Sequence, residues 1–118
     1  MRVLVCGGRT FDDKELIYAT LDRLHKLHGF DVLIEGDAHG VDRIAGYWAR
    51  RNRVDDLKFA AKWNDYGNAA GPIRNRKMLE DGRPDLVVAF PGGRGTENMV
   101  RLAKAAGVAV IEIKSEPR

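Results

Sequence analysis

The sequence predicts an α/β fold, a three-layer sandwich in which helices cover both faces of a five-stranded, mainly parallel sheet. Three observations lead to this fold class. Short apolar runs alternate with longer amphipathic segments, which is the element order of parallel α/β proteins. Glycine and proline separate these segments. The run Leu86–Phe90 is apolar at every position, as expected of a strand that is covered on both faces.

The first strand and the first helix occupy the N-terminal quarter of the chain. Arg2–Cys6 has the composition of a strand. Apolar residues then recur near helical spacing over Phe11–His28, and Asp12 or Asp13 is suited to cap the start of that helix. Gly29 ends the helix, because glycine readily takes the left-handed conformation found after a helix C-terminus.

The middle of the chain continues this alternation less regularly. We expect a second strand at Asp31–Glu35 and a helix that ends near Asn52. Leu57–Ala61 is a weaker candidate for the third strand, since alanines replace β-branched residues. Lys62–Gly71 lacks a clear periodicity and is predicted to be a loop.

The C-terminal part contains the last two strands. Pro72–Asp81 is predicted to be a helix, with proline in the first turn. The fourth strand is Asp85–Phe90, and a glycine-rich turn leads from it into a helix that reaches Ala106. Val108–Ile113 is the fifth strand, and we expect residues 115–118 to be frayed.

Composition excludes several classes of protein. A chain of 118 residues has the size of one domain, and its longest apolar runs are far too short to cross a bilayer. The N-terminus lacks the pattern of a signal peptide, so we expect a cytoplasmic location. The lone Cys6 excludes an intramolecular disulfide and is expected to be buried packing. A net charge of +3 permits phosphate-bearing ligands but is too mild to indicate duplex binding by itself.

Three loops that follow predicted strands combine glycine with polar residues, namely Gly7–Thr10, Gly36–Asp42 and Pro91–Thr96. The carboxyl edge of a parallel sheet is where ligands bind. Pro91–Thr96 leads into a helix, whose unpaired N–H groups and dipole favour an anion such as phosphate. The residues predicted to bind the ligand are Gly7, Gly8, Arg9, Gly36, Asp37, Arg74, Asn75, Pro91, Gly92, Gly93, Arg94, Gly95 and Thr96.

Each of these signals also has a purely structural interpretation. The Pro91–Thr96 loop is equally typical of a tight turn whose glycines supply positive φ. It is not a Walker A loop, and Asn98 stands where a dinucleotide fingerprint would have its third glycine. Asp42 is either a first-turn acid of its helix or a carboxylate for a ribose hydroxyl or for catalysis. His39 lacks partners at metal-ligand spacing, so neither a metal nor a cofactor is predicted.

A basic run, Arg74–Lys77, follows a segment that contains Trp63 and Tyr66. Arginines on a phosphate with an aromatic ring on the base would suit a nucleotide. The alternative is a solvated basic helix start with the aromatic rings packed beneath it.

Four motifs in order resemble the YspA-like, cpYpsA-related branch of the SLOG superfamily. They are Gly7–Arg9, Gly36–Ala45, Gly71–Leu79 and Phe90–Thr96. The resemblance covers nearly the whole chain. It implies a Rossmann-like fold, a nucleotide site on the glycine-rich loop and self-association, and it extends to Lonely Guy phosphoribohydrolases, Smf/DprA proteins and nucleotide sensors.

One catalytic residue of the Lonely Guy enzymes has no counterpart here. Their motif Pro-Gly-Gly-x-Gly-Thr-x-x-Glu matches Pro91–Thr96, but its glutamate position is Met99. Glu97 lies two residues earlier, and the helical rotation of about 100° per residue directs it elsewhere. The pair Arg76-Lys77 resembles the Arg-Lys pair of that family.

These observations predict binding of a nucleotide or nucleotide derivative at the carboxyl edge of the sheet. If the protein is an enzyme, the resemblance implies phosphoribohydrolase-like cleavage of the N-glycosidic bond. Asp42 would then be the leading catalytic carboxylate, Glu97 the second, and Arg74 or Arg76 would orient the phosphate. The alternatives are a non-catalytic nucleotide sensor and a protein that binds single-stranded nucleic acid through its basic run.

Overall fold

The computed structural model describes residues 1–114. Five strands alternate with five α-helices along these residues. The strands are β1 (Arg2–Cys6), β2 (Val32–Glu35), β3 (Asp55–Lys58), β4 (Leu86–Ala89) and β5 (Ala109–Glu112). The helices are α1 (Lys14–His28), α2 (Val41–Arg51), α3 (Trp63–Tyr66), α4 (Ala70–Glu80) and α5 (Arg94–Ala105), with a 3₁₀ turn at Gly67–Ala69 between α3 and α4.

The five strands form one sheet in the order β3-β2-β1-β4-β5, and every neighbouring pair is parallel. The chain builds outward from β1 to β3, returns to the centre, and then builds outward on the other side through β4 and β5. The carboxyl ends of β1 and β4 therefore flank the point where the strand order reverses. In open α/β sheets this switch point is the place where a crevice forms.

Helices cover both faces of the sheet because β1, β2 and β4 carry apolar residues on both. Val3, Val5 and Leu33 pack with residues of α1 and α2 in one core cluster. Leu4 and Ile34 face the other side, where they pack with residues of α4 and α5. The predicted α/β three-layer fold is thus confirmed, and the sheet is entirely parallel.

Two predicted elements were wrong. The segment Lys62–Gly71 is not a loop, since it contains α3, the 3₁₀ turn and the start of α4. Helix α3 is a single turn, too short for apolar residues to recur along it and reveal a periodicity. The third strand is Asp55–Lys58 instead of Leu57–Ala61, and it is an edge strand whose inward residues make ion pairs instead of apolar contacts.

The other boundaries agree within a few residues. Asp13, one of the two predicted caps, accepts a hydrogen bond from the Leu16 backbone N–H at 3.1 Å. Gly29 follows α1 in the left-handed conformation, with a φ of 71°. The predicted frayed tail, residues 115–118, lies outside the described residues. Within residues 1–114, no helix combines the length and the apolar composition that a bilayer crossing requires.

Candidate functional site

The three glycine-rich loops meet at the carboxyl edge of the sheet. The Gly8 N–H donates to the Pro91 carbonyl at 2.9 Å, which joins the loop after β1 to the loop after β4. The Val41 N–H donates to the Gly8 carbonyl at 3.3 Å, which joins the same loop to the start of α2. The first loop therefore lies between the other two and holds them together.

Glycine at two positions permits this close approach. A Cβ on Gly92 would lie 2.7 Å from the Gly8 nitrogen and would also collide with the Thr96 side chain. Gly40 has a φ of 79° and packs directly on the backbone of Gly8 and Arg9. The interpretation that glycines in the Pro91–Thr96 loop supply positive φ is wrong, because none of the three has a φ in the left-handed region. Close backbone packing is the reason for Gly92.

Helix α5 begins at this edge with an uncapped N-terminus. Gly93 is its N-cap residue, and no side chain of residues 1–114 forms a capping hydrogen bond there. Apart from their chain neighbours and the adjacent backbone of α5, no described residue comes within 4 Å of the Cβ positions of Gly93 or Gly95. Without a side-chain cap, first-turn backbone N–H groups ahead of Glu97, whose own N–H donates to the Gly93 carbonyl, are left for a ligand or water, and the helix dipole makes this end positive.

An open cleft of about 360 Å³ lies at the switch point. We call it the switch-point cleft; its lining residues are Gly8, Arg9, Thr10, Phe11, Pro91, Gly92 and Gly93. It is bounded by the carboxyl ends of β1 and β4, where the topology places a crevice. Within the described part of the chain the cleft is open to solvent, so an anion has access to the start of α5.

A second cleft, of about 330 Å³, shares Arg9 with the first. We call it the tryptophan cleft; its lining residues are Arg9, Gly36, Asp37, Ala38, His39, Arg43, Ala60, Ala61, Trp63 and Arg74. The Arg9 guanidinium lies over the Trp63 ring, with its carbon 5.1 Å from the ring centroid. Three arginines and one tryptophan therefore line a cleft next to the uncapped helix.

Arg74 reaches this cleft from α4. Its guanidinium donates to the Gly36 carbonyl at 2.6 Å, which holds the loop after β2 against α4. Burial lowers the pKa of Arg74, while the nearby Asp42 carboxylate opposes that shift. Arg74 therefore keeps a positive charge at the side of the cleft.

Asp42 lies beneath the same loop, in the first turn of α2. Its side chain is only 6% exposed, and one carboxylate oxygen accepts the Ala38 N–H at 3.3 Å. Burial raises the Asp42 pKa to about 6, although Arg74 and the backbone N–H groups of Ala38 and Gly36 act in the opposite direction. A carboxyl group that titrates near neutral pH is one that can exchange a proton.

Asp37 belongs to an ionic network at the edge of the cleft. It has a φ of 56°, and its N–H donates to a fully buried Glu35 carboxylate oxygen at 2.5 Å. The other Glu35 oxygen pairs with Lys58 at 2.6 Å, and Lys58 also contacts Asp56 at 3.1 Å. Arg50 pairs with Asp56 at 2.7 Å. Burial raises the Glu35 pKa to about 7, with the lysine contact opposing the shift.

Sequence reasoning missed Lys58 and Arg43 in this region. Lys58 ends β3, so the carboxyl-edge rule would have selected it if the strand had been placed correctly. Arg43 lies one helical turn after His39, and its guanidinium contacts the His39 Nδ1 at 3.0 Å. Within the described part of the chain, no three His, Cys, Asp or Glu side chains are arranged to hold a metal ion.

Asn75 is a predicted ligand residue that supports the site from behind. It is 4% exposed, and its amide donates to the Asn98 side chain at 2.9 Å and to the Gly95 carbonyl at 3.2 Å. These bonds hold α4 against the first turn of α5. Asn75 therefore positions the uncapped helix start, and its amide is largely shielded from solvent.

The structure does not bring the remaining predicted residues into these two clefts. Glu97 is exposed and lines a separate cleft of about 230 Å³ with Thr96. Arg76 is exposed on α4, and Arg94 is exposed at the start of α5. Met99 is fully buried in the core, on a different side of α5 from Glu97. The expected difference in direction between these last two residues is confirmed.

Gly7 and Cys6 are structural. Gly7 packs against the Val41 side chain, where a Cβ would lie 2.8 Å from the valine Cβ. Cys6 is buried in the core cluster between the sheet and α4 and α5. Burial raises the pKa of its thiol to about 12, so it is protonated at neutral pH.

Together, the fold and the two clefts define a Rossmann-like α/β protein with its candidate site at the topological switch point. The sequence matches the family model of the YspA, cpYpsA-related SLOG family over residues 1–66. The chain is also 36% identical over 124 residues to the Gene 61 protein of Mycobacterium phage D29, covering 98% of each chain. The protein belongs to the YspA, cpYpsA-related SLOG family, as its motifs indicated.

Proposed function

We propose that the protein binds a nucleotide or a nucleotide derivative, with a phosphate at the start of α5. The observation that carries this proposal is the open cleft between the ends of β1 and β4, bounded by an uncapped helix N-terminus. Backbone donors and the helix dipole favour an anion at such a position. Membership of the SLOG family is consistent with this class of ligand.

The charges around the two clefts support the same ligand class. Arg9 lines both clefts, and Arg74 and Arg43 line the second. Asp37 provides a carboxylate beside these cations, which suits hydrogen bonds from ribose hydroxyl groups. A nucleotide has this arrangement, with an anionic phosphate that the arginines would bind and ribose hydroxyl groups that Asp37 would accept hydrogen bonds from.

Hydrolysis of the N-glycosidic bond is a second candidate, and it depends on Asp42. Its raised pKa suits a carboxyl group that transfers a proton, but Asp42 is buried and does not line either of the two clefts. Glu97 and Arg76 lie away from Asp42, so the three proposed catalytic residues do not converge. A sensor that binds its ligand without turnover needs no convergent catalytic residues. We therefore favour binding without catalysis.

The binding proposal is tested by calorimetric titration with nucleoside 5′-monophosphates, using two substitutions at one position. Arg94 is the first residue of α5, where proline is well tolerated. Arg94→Ala removes the side chain alone, whereas Arg94→Pro also removes a backbone N–H. A hydrogen bond to a charged group contributes about 1.5–3 kcal/mol, so we expect Arg94→Pro to bind at least about tenfold more weakly than Arg94→Ala.

Arg101→Ala is the matched control, because Arg101 is exposed further along the same helix. It should bind like the wild type. Equal affinities for Arg94→Ala and Arg94→Pro would contradict phosphate binding by the backbone. Chromatography of the same mixtures separates the two functions, since free base in the wild type but not in Asp42→Asn supports hydrolysis.

We also propose self-association, which the family resemblance implies. Sedimentation velocity at micromolar concentration tests it directly. A single species with the mass of the monomer would contradict this proposal.

A further inference from the structure

We propose that Trp63 is the stacking surface for the nucleobase, and that Arg9 moves from this ring to the phosphate when a nucleotide binds. The inference rests on the proposed function, and it adds the class of ligand: a free nucleotide recognised by its aromatic base as well as by its phosphate.

The two tryptophans of the chain differ in environment. Trp48 is fully buried in the core, and its indole N–H donates to Asp22 at 2.7 Å. Trp63 is 45% exposed and lines the tryptophan cleft. A half-exposed indole that faces a cleft leaves apolar surface in water, so burying that surface against a flat aromatic ring is favourable.

The backbone supports the Trp63 ring from one side. The ring edge lies against Gly71 of α4, at 3.4 Å from the position that a Cβ would occupy. That distance is an ordinary van der Waals contact, so the indole packs against the buried Gly71. The ring therefore has α4 on one side and the cleft on another.

Arg9 covers the face of Trp63 in this structure. Its guanidinium carbon lies 5.1 Å from the ring centroid, which is a direct cation–π contact that leaves no space for a base between them. A base that stacks on Trp63 must displace Arg9. Because Arg9 also lines the switch-point cleft beside Gly92 and Gly93, we infer that the displaced guanidinium turns into that cleft, where the phosphate is proposed to bind.

This exchange makes binding of the two ends of the ligand cooperative. The base releases Arg9 from the ring, and the phosphate gives the released cation a stronger partner. A phosphorylated ligand without a base must itself draw Arg9 from the ring, so it gains the Arg9 contact, loses the cation–π contact and gains no stacking. Among residues 1–114, Trp63 is the one Phe, Tyr or Trp that lines the tryptophan cleft; the other aromatic ring there is His39, which contacts Arg43, and Tyr66 lines a different hollow together with Lys62 and Lys77. Proteins that bind single-stranded nucleic acid usually stack successive bases on successive aromatic rings, so a free nucleotide fits this cleft better than a nucleic-acid strand does.

The test measures two probes by calorimetry: the tightest-binding nucleoside 5′-monophosphate of the four common bases, and ribose 5-phosphate. Removing an aromatic side chain on which a base stacks weakens binding by about fivefold to 150-fold. We expect Trp63→Ala to weaken nucleotide binding by that factor, and to leave ribose 5-phosphate binding unchanged or up to about fivefold tighter because Arg9 no longer has to leave the ring. Trp63→Phe should retain most of the nucleotide affinity.

Arg9→Ala should show a different pattern. It removes a charge-assisted contact to the phosphate, so both probes should bind about tenfold or more weakly. Tyr47→Ala is the matched control, because Tyr47 is an exposed aromatic residue that pairs with Arg50 outside both clefts. It should leave both affinities unchanged.

Tryptophan fluorescence gives an independent readout. Nucleotide should change the emission of the wild type but not of Trp63→Phe, in which the buried Trp48 is the only emitter. An eight-residue single-stranded oligodeoxythymidylate should bind more weakly than the mononucleotide.

Several outcomes would overturn the proposal. They are a Trp63→Ala variant that binds nucleotide like the wild type, a Trp63→Ala variant that loses both probes equally, and an oligonucleotide that binds more tightly than the mononucleotide. If the wild type binds ribose 5-phosphate and gains nothing from a base, the stacking proposal fails and the phosphate site stands. If the wild type binds neither probe, both proposals fail.

Discussion

Gly92→Ala should destabilise the protein at the switch point, and its magnitude follows from the packing there. The new Cβ would lie 2.7 Å from the Gly8 nitrogen, whereas ordinary van der Waals contacts are 3.4–4 Å. The loops after β1 and β4 must separate, and the hydrogen bond from the Gly8 N–H to the Pro91 carbonyl is lost. Overpacking costs about 1–3 kcal/mol and a hydrogen bond about 1 kcal/mol, so we expect a loss of about 2–4 kcal/mol.

Urea denaturation measures this loss, with Gly95→Ala as the matched control. Gly95 lies in the first turn of α5, and apart from its chain neighbours and the adjacent helix backbone no described residue is within 4 Å of its Cβ position. Alanine is the better helix former, so the control should be neutral or up to about 1 kcal/mol more stable. With a urea dependence of about 2 kcal/mol per molar, Gly92→Ala should lower the midpoint by about 1–2 M. Equal midpoints for the two variants would refute the packing argument.

Three further predictions concern the buried polar groups. Asn75→Ala removes two hydrogen bonds between α4 and α5 and should lower the unfolding free energy by about 2 kcal/mol, measured by thermal denaturation. Burial raises the Asp42 pKa to about 6 from 3.8, so the folded protein holds the Asp42 proton more tightly than the unfolded chain does. The stabilisation from this difference is complete below pH 4 and is lost as the pH rises through 6. The unfolding free energy of the wild type should therefore fall by about 3 kcal/mol more between pH 4 and pH 7 than that of Asp42→Asn, as measured by urea denaturation. Equal pH dependence of the urea midpoints of the two proteins would contradict this. Lys58→Met leaves the buried Glu35 without its cation and should lower the unfolding free energy by about 3 kcal/mol at pH 8. The loss should be much smaller at pH 5, where Glu35 is protonated. A loss that does not depend on pH would argue against the ion pair.

The element order was predictable because helices and strands of sufficient length carry a periodic pattern. Helix α1 and strand β4 show it clearly, and both were placed within a few residues. Helix α3 has only one turn and β3 is a polar edge strand, so neither carries an apolar repeat. Their stability comes from contacts with α4, β2 and α2, which a local pattern does not contain.

The candidate site was predictable to the level of loops but not of individual roles. Residues 36–42 and 91–96 were expected at the carboxyl edge, and both segments lie there. Asn75 was expected to bind the ligand as part of the basic run Arg74–Lys77, yet it supports α5 from a buried position. Glu97 belongs to the same helix as the uncapped turn, but helical rotation directs it into another cleft.

The sequence by itself determined which segments form the main strands and helices, where the glycine-rich loops lie and to which family the chain belongs. These properties depend on residue type and on short spacings. Only the tertiary structure decided that β4 lies beside β1, that Arg9 lies between two clefts and that Asp42 is buried near Arg74. Strand order, desolvation and close backbone approach depend on atoms that are far apart in the chain, and they act only after the chain has folded.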